Sequence, residues 1–330
     1  MDLSTRWLGL ELPHPFMPGA SPLADDLDTV KRLEDAGAAA ITMRSLFEEQ
    51  IQREQLGAHH HVHAPGDHAE AQSYFPDASV FAMGPDEYLE QVRRVRKTVH
   101  VPVIASLNGA TSGGWLSYAK SIEQAGASAL ELNFYAIATE PTEGSEVVER
   151  RLVDIVREVK SSVKIPIAVK LSPFFSALPN LAQRLEVAGA DGLVLFNRFY
   201  QADIDIEHLE VKRTLHLSNP SELLLRLRWL AILSGRVKAS LCVSGGVHGI
   251  PEAVKAIMAG AHAVQMVSAL LQKGPDHLRA MRIGLEEWLE EHEYESLAQM
   301  CGSMSLAKCP DPLAYERADY AAILQSWRHP

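Results

Sequence analysis

Four copies of the tripeptide Ala-Gly-Ala, at 36–38, 125–127, 188–190 and 259–261, constrain this chain more than any other feature. Each ends an amphipathic stretch of helical spacing and is followed at once by a short apolar run, at 39–42, 130–133, 193–196 and 264–266. Glycine caps the C-terminus of a helix, and a short continuous apolar run suits a strand buried on both faces. Between the copies lies a second kind of junction: Val101-Pro102-Val103, Ile165-Pro166-Ile167 and Val237–Ser240 precede the apolar runs 104–107, 168–171 and 241–243. The two junctions alternate. With Phe16–Pro18 as a first strand they punctuate eight strands, nearly all followed by a helix. That pattern predicts an α/β fold, a (β/α)8 TIM barrel built as one domain over 1–330, with extended N-terminal pieces at 7–12 and 15–18. An open doubly wound sheet is the competing architecture, disfavoured by the strand count and by the lack of an early Gly-x-Gly-x-x-Gly.

A barrel places its chemistry at the C-terminal strand ends. The seventh strand stops at Ser244-Gly245-Gly246 and the eighth at Val267-Ser268. Two adjacent strand ends, each with backbone N–H groups and a serine, predict a phosphate nest. A bulky residue at Gly246 is expected to fill that nest while the barrel stays folded. The segments 45–85 and 198–220 are too long for simple connectors and are expected to form lids at this face. The first begins with helix-like SLFEEQIQREQL and continues into a polar tract with His59, His60, His61, His63 and His68. Those histidines lack helical spacing and a nearby cysteine, so they read as solvated lid residues and no metal is expected. The tail 294–330 is expected to pack on the outside of the barrel.

Several polar residues follow apolar runs at the same face. Lys170 ends the fifth strand, where a buried lysine needs an anionic partner and offers a fixed positive charge to a ligand. Asn133 and Asn197 end the fourth and sixth strands, and convergent amides suit a flat heterocycle. Arg44, Ser45, Ser106 and Asn108 complete a polar ring. No Gly-x-Ser-x-Gly elbow supports a serine nucleophile. The net charge of −11 argues against nucleic acid or an anionic membrane as the main partner. No apolar window has membrane-spanning length, and the N-terminus lacks the pattern of a secretory leader. Cys242, Cys301 and Cys309 have no metal-ligand spacing, which fits a reducing, cytoplasmic setting.

The segments PFMPGAS, TMRSLFEEQ, ELNFYAIAT, IAVKLSP, LFNRFY, VSGGV and AVQMVSALLQKGP, with YESLAQMCGSMS near the C-terminus, resemble the dihydroorotate dehydrogenases. Their order and spacing are most similar to the soluble class 1 enzymes over nearly the whole chain. The resemblance implies FMN over the barrel mouth, a dihydroorotate or orotate substrate, a role in pyrimidine biosynthesis and a homodimer. It implies a flavin phosphate held by Ser244, Gly245, Gly246, Val267 and Ser268. Ala20, Ser21, Ser45, Ser106 and Asn133 would lie along the ring system, Lys170 at the flavin N1/O2 edge, and Asn133 and Asn197 on the substrate.

Three positions depart from the family pattern. Where the family carries a Cys or Ser base, in a frame like LNLSCPN, this chain has Ala136. The family's lysine after the second strand is Arg44, whose charge is fixed. The substrate loop resembling MGLPN falls at 80–84 as VFAMG, without asparagine. Tyr135, beside Ala136, is the candidate proton donor, so a reductase of another small planar substrate is a second expectation. An FMN-holding protein without efficient catalysis and a non-redox phosphate-binding barrel enzyme are the alternatives.

Overall fold

The structure is a computed structural model that describes residues 1–51, 83–109, 115–212 and 214–326. The His59–His68 tract and residues 80–82 lie outside the described residues. The strands, in chain order, are β1 (Thr5–Trp7), β2 (Leu10–Leu12), β3 (Phe16–Pro18), β4 (Ile41–Phe47), β5 (Val103–Gly109), β6 (Ala129–Phe134), β7 (Ile167–Leu171), β8 (Gly192–Leu195), β9 (Asp203–Asp205), β10 (Glu210–Lys212), β11 (Ser240–Ser244) and β12 (Ala263–Met266). Eight of them form one parallel sheet in the order β3-β12-β11-β8-β7-β6-β5-β4. Ala39 N–H donates to the Phe16 carbonyl at 3.0 Å across the remaining seam. This is the (β/α)8 barrel, with the strands where the alternating junctions put them.

The junctions recur for a reason visible in the hydrogen bonds. Three of the four Ala-Gly-Ala copies are preceded by a glutamate three residues before the glycine: Glu34, Glu123 and Glu186. Glu34 accepts from His100 N at 2.6 Å and Val101 N at 3.2 Å. Glu123 accepts from Lys164 N and Ile165 N at 2.6 and 3.1 Å. Glu186 accepts from Lys238 N and Ala239 N at 2.5 and 3.1 Å. One helix end thereby caps the start of the strand that follows the next helix, satisfying N–H groups that neither element bonds internally.

The N-terminal pieces form more than a lead-in. β1 and β2 pair antiparallel as a hairpin, with Trp7 opposite Leu10. Trp7, Leu8 and Leu12 are buried against Met17, Ala39, Ala40, Ile104, Ala129, Ala168, Val194, Cys242 and Ala263. These are the inward positions at the lower end of the barrel strands, and they are small enough to admit an indole. Gly192 is required there, because a Cβ would sit 2.6 Å from Leu8 Cδ2 and 2.8 Å from Trp7 Cη2. The hairpin is thus an apolar floor.

Two histidines lie at this floor. His14 Nδ1 accepts from Phe16 N at 3.2 Å, and His262 Nδ1 accepts from Leu241 N at 3.1 Å. Burial pushes His14 down to about 4 and also lowers His262. Each binds its proton more readily unfolded than folded, so stability is full above the ordinary histidine range and falls as pH drops below it. Between pH 7 and pH 5, urea denaturation should show a loss of about 2 kcal/mol from His14 alone. His14→Gln should flatten that slope.

Elsewhere the structure differs from expectation. Ser45–Phe47, expected to begin a helix, continue β4 as strand, and helix starts only at 48. The reason is Ser106, which faces Ser45 after a register shift between Thr42 and Ser45 and holds the strand in the sheet. The segment 198–220 contains a hairpin, β9 with β10. Residues to Leu306 dock on the barrel's outer helices through Gly302 N to Ile257 O, Met304 N to Met258 O and Leu306 N to Ala231 O. The helix Arg317–Ser326 beyond them is exposed from Tyr320 onward, so the tail packs only in its first part.

Candidate active site

Above the apolar floor the inward positions turn polar. Glu131 on β6, Lys170 on β7 and Gln265 on β12 are all buried, Glu131 completely. Lys170 Nζ donates to Gln265 Oε1 at 3.1 Å and lies 3.5 Å from Glu131 Oε1. Gln265 Nε2 donates to Glu131 Oε2 at 2.5 Å. The anionic partner that a buried lysine requires is therefore inside the barrel. Gln265 satisfies both ions with opposite ends of one amide, as such a buried pair needs.

Next along the mouth, the Ser45 and Ser106 hydroxyls are 2.8 Å apart. Ser106 is held from behind by Tyr88, whose hydroxyl donates to Ser106 O at 3.0 Å and accepts from Ser106 N at 2.9 Å. Burial pushes the Tyr88 phenol well above its ordinary range, which keeps it a donor. Asn133 pairs in register with Asn108 and Lys170 on the neighbouring strands, and its side-chain oxygen accepts from Asn197 Nδ2. The expected amides thus meet directly. Ala20 is partly buried just past β3. Ser21 beside it is buried, and its hydroxyl has no hydrogen-bond partner among the described residues. A buried hydroxyl without a partner among these residues is free to bond a ligand.

At the ends of β11 and β12, Gly245 and Gly246 both adopt positive φ, +86° and +82°. Gly246 N–H donates to Ser218 Oγ at 3.4 Å. The Ser218 N–H and hydroxyl both donate to Ser268 Oγ at 2.9 Å, and His248 Nε2 lies 3.5 Å from Ser218 Oγ. Ser244–Gly246 and Val267–Ser268 thus follow neighbouring strands, and Ser218 bridges Gly246 to Ser268. Arg226 lies against the same turn. Its Nε donates to Ser244 O at 2.5 Å and its Nη1 to Glu222 O at 2.6 Å, while Nη2 would be 2.9 Å from a Cβ on Gly245. The guanidinium is buried, and that burial lowers its pKa. The expectation for Gly246 needs correction. A Cβ there would meet Leu223 N at 2.6 Å and Leu223 Cα at 2.9 Å, so a side chain would push on the helix Leu223–Leu233 before reaching the nest.

A family model for dihydroorotate dehydrogenase matches residues 68–289, about two thirds of the chain. The chain belongs to the dihydroorotate dehydrogenase family. It is 28% identical over 309 residues to the dihydroorotate dehydrogenase B (NAD(+)) catalytic subunit of Thermoplasma volcanium, covering 91% of this chain and 98% of that one. The corresponding subunit of Geobacter sp. (strain M21) is 30% identical over 239 residues, 68% of this chain and 75% of the relative. That of Methanothermobacter thermautotrophicus is 24% identical over 306 residues, 91% and 97%. Enzymes of the dihydroorotate dehydrogenase family are flavin oxidoreductases acting on CH–CH bonds, and this chain is an oxidoreductase of that type.

Arg44 Nη2 is 3.0 Å from Asp25 Oδ2, so its charge is engaged by the loop after β3. Burial of Asp25 raises its pKa, an effect that Arg44 opposes. The Tyr135 ring stacks on Phe199 with centroids 4.6 Å apart, and Phe174 meets Phe199 edge-on at 4.8 Å. Ala136 presents only a methyl group. Sequence reasoning missed Glu131, Gln265, Ser218 and Arg226. Glu131 had a signal, since a carboxylate between Leu130 and Leu132 shares the inward face with Asn133.

Proposed function

We propose that the chain is an FMN-dependent oxidoreductase acting on a small planar ring, in the manner of dihydroorotate oxidation. The observation that carries this is the pairing of one glycine-serine cradle, at the ends of β11 and β12, with a buried lysine on the barrel axis. Bound flavin would supply a two-electron acceptor. The chain's residues fit it. Gly246 N–H, Ser218 and Ser268 would hold the phosphate, with Val267 and Gly245 lining the nest. Ser21 gains the partner its buried hydroxyl lacks, Ser45, Ser106 and Ala20 line the ring, and Lys170 places positive charge at its edge. Asn133 and Asn197 offer amide donors and acceptors to the substrate. A second reading, reduction of another planar substrate with Tyr135 giving the proton, is favoured by Ala136, which cannot accept one. The test is a visible spectrum of the purified protein, mass of the released chromophore, and anaerobic titration with dihydroorotate. A colourless protein that ignores added FMN would overturn the cofactor assignment.

Arg226 sharpens it. No carboxylate among the described residues forms an ion pair with the guanidinium, two of whose N–H groups go to backbone carbonyls beside the cradle, and Glu222 acts on it only from beyond ion-pair distance. A phosphate on Gly246 N–H would supply the missing countercharge. Arg226→Gln should weaken FMN by about tenfold or more while leaving riboflavin, which lacks the phosphate, unchanged. Flavin fluorescence quenching reads both, and an equal loss for the two would make Arg226 purely structural.

A cytoplasmic homodimer is the setting we propose. No helix among the described residues is long and apolar enough to cross a membrane. The β9–β10 hairpin exposes Ile204, Ile206, Leu209 and Val211, a surface suited to a second copy.

A further inference from the structure

We propose that the substrate of this enzyme is an uncharged cyclic amide bearing an apolar arm, aromatic or branched alkyl, and that the arm lies in a side cavity beside Ala136. This deepens the oxidoreductase reading above and rests on it for the position of the ring. The cavity measures about 320 Å³ and opens at the C-terminal face of the barrel. Its walls come from the loop after β6, the loop after β7, Phe199 after β8, and the first turns of the helix Ser145–Ser162. Four phenyl rings line it, those of Phe134, Phe174, Phe175 and Phe199, together with Ile137 and Val148.

Its place ties it to the substrate. Phe134 directly follows Asn133, and Phe199 lies two residues after Asn197, so the bonded amide pair stands at the edge of the aromatic wall. Phe174 and Phe199 also line a second pocket of about 230 Å³ that includes Asn197. The Tyr135–Phe199 stack and the Phe174–Phe199 edge contact make one aromatic cluster, of which Phe174 and Phe199 border both spaces. A ring with its polar edge at Asn133 and Asn197 would have that cluster beside its substituent.

Among the described residues, the lining offers a carboxylate no cation. Glu149 is the one ionisable residue among the described lining residues, and its carboxylate is already paired with Arg184 at 2.8 Å. No lysine, arginine or histidine lines the cavity among the described residues. An orotate-type carboxylate placed there would be desolvated, lack a cation and face Glu149. Ser145, Ser172 and Ser176 supply only neutral hydroxyls. Phe174 and Ile137 are 65% and 62% exposed, so the wall is not core packing turned inward but apolar surface left for something to cover.

Calorimetric titration of the purified protein, with FMN added, tests this with three probes: uracil, orotate and 6-benzyluracil. The benzyl compound should bind about 10–100-fold more tightly than uracil, as expected for one buried phenyl arm, and orotate no more tightly than uracil. Val148→Phe, which narrows the cavity from the helix side, should remove the benzyl advantage and leave uracil unchanged. Ile137→Lys, at an exposed position that tolerates charge, should raise orotate affinity and lower that of 6-benzyluracil. Orotate binding best to the unmodified protein, or a benzyl advantage indifferent to Val148→Phe, would overturn the proposal. Failure to bind any of the three would also overturn it. Because calorimetry does not depend on colour, a protein that ranks the probes as expected yet takes up no FMN would sink the cofactor assignment alone. A yellow protein that prefers orotate would sink the cavity assignment alone.

Discussion

Lys170→Met should cost about 3–5 kcal/mol of folding stability, because it strands the fully buried Glu131 without its cation. Gln265 would still donate to Glu131, but one neutral hydrogen bond does not replace an ion partner in a site closed below by the apolar floor. Pairing the change with Glu131→Gln should recover most of the loss, since two neutral groups then face Gln265. Equilibrium denaturation of both single variants and the double variant gives the coupling directly. Independent, additive losses would mean that the pair does not act as a unit. Comparing the double variant with Glu131→Gln alone isolates a second effect, since the two differ only in the Lys170 charge. If Lys170 faces the flavin edge, removing its charge should lower the two-electron potential by tens of millivolts, about 30 mV for each 1.4 kcal/mol of lost stabilisation of the reduced, anionic ring. An unchanged potential would put Lys170 out of reach of the cofactor while leaving its structural role intact.

The barrel was legible because its signal is repeated. The Ala-Gly-Ala copies and the β-branched junctions report local events, a helix end and a strand start, and each sits a few residues from its cause. The glutamates that lock those junctions were not legible as such. Glu34, Glu123 and Glu186 look like ordinary helix-surface residues until the chain 41 to 66 residues further on is folded against them. The floor hairpin was hidden for a similar reason, since Trp7 and Leu12 have their partners in residues contributed one or two at a time by each barrel strand or the turn before it. At the site, Lys170, Asn133 and Asn197 announced themselves by ending apolar runs. Ser218 and Arg226 did not, because their meaning depends on where the segment 198–220 and a helix come to rest on the turn at Gly245. Long-range placement, rather than residue chemistry, separates what could be read from what could not.

Ala136→Cys should raise dihydroorotate oxidation by about 10²–10⁴-fold, the span a positioned general base typically contributes. Oxidation removes a proton from one ring carbon as hydride leaves its neighbour, and a methyl group cannot take that proton. The unmodified chain should therefore oxidise dihydroorotate slowly, with the bonded amides Asn133 and Asn197, the Lys170 cluster and the glycine-serine cradle all present. The substitution is sterically mild. Ala136 is only partly buried and borders the 320 Å³ cavity, so a sulfur atom enters open space rather than packed core. Stopped-flow bleaching of the flavin under anaerobic dihydroorotate separates the chemical step from acceptor turnover. Tyr135→Phe supplies the counter-test. A phenol carries its proton at neutral pH and gives it more readily than it takes one, so losing the Tyr135 hydroxyl should suppress reduction of an unsaturated ring and leave oxidation in the Ala136→Cys background little changed. The stack on Phe199 survives the change, which keeps the loop in place. Fast oxidation by the unmodified protein, with no gain from Ala136→Cys, would mean that another group takes the proton and that this loop has been assigned the wrong role.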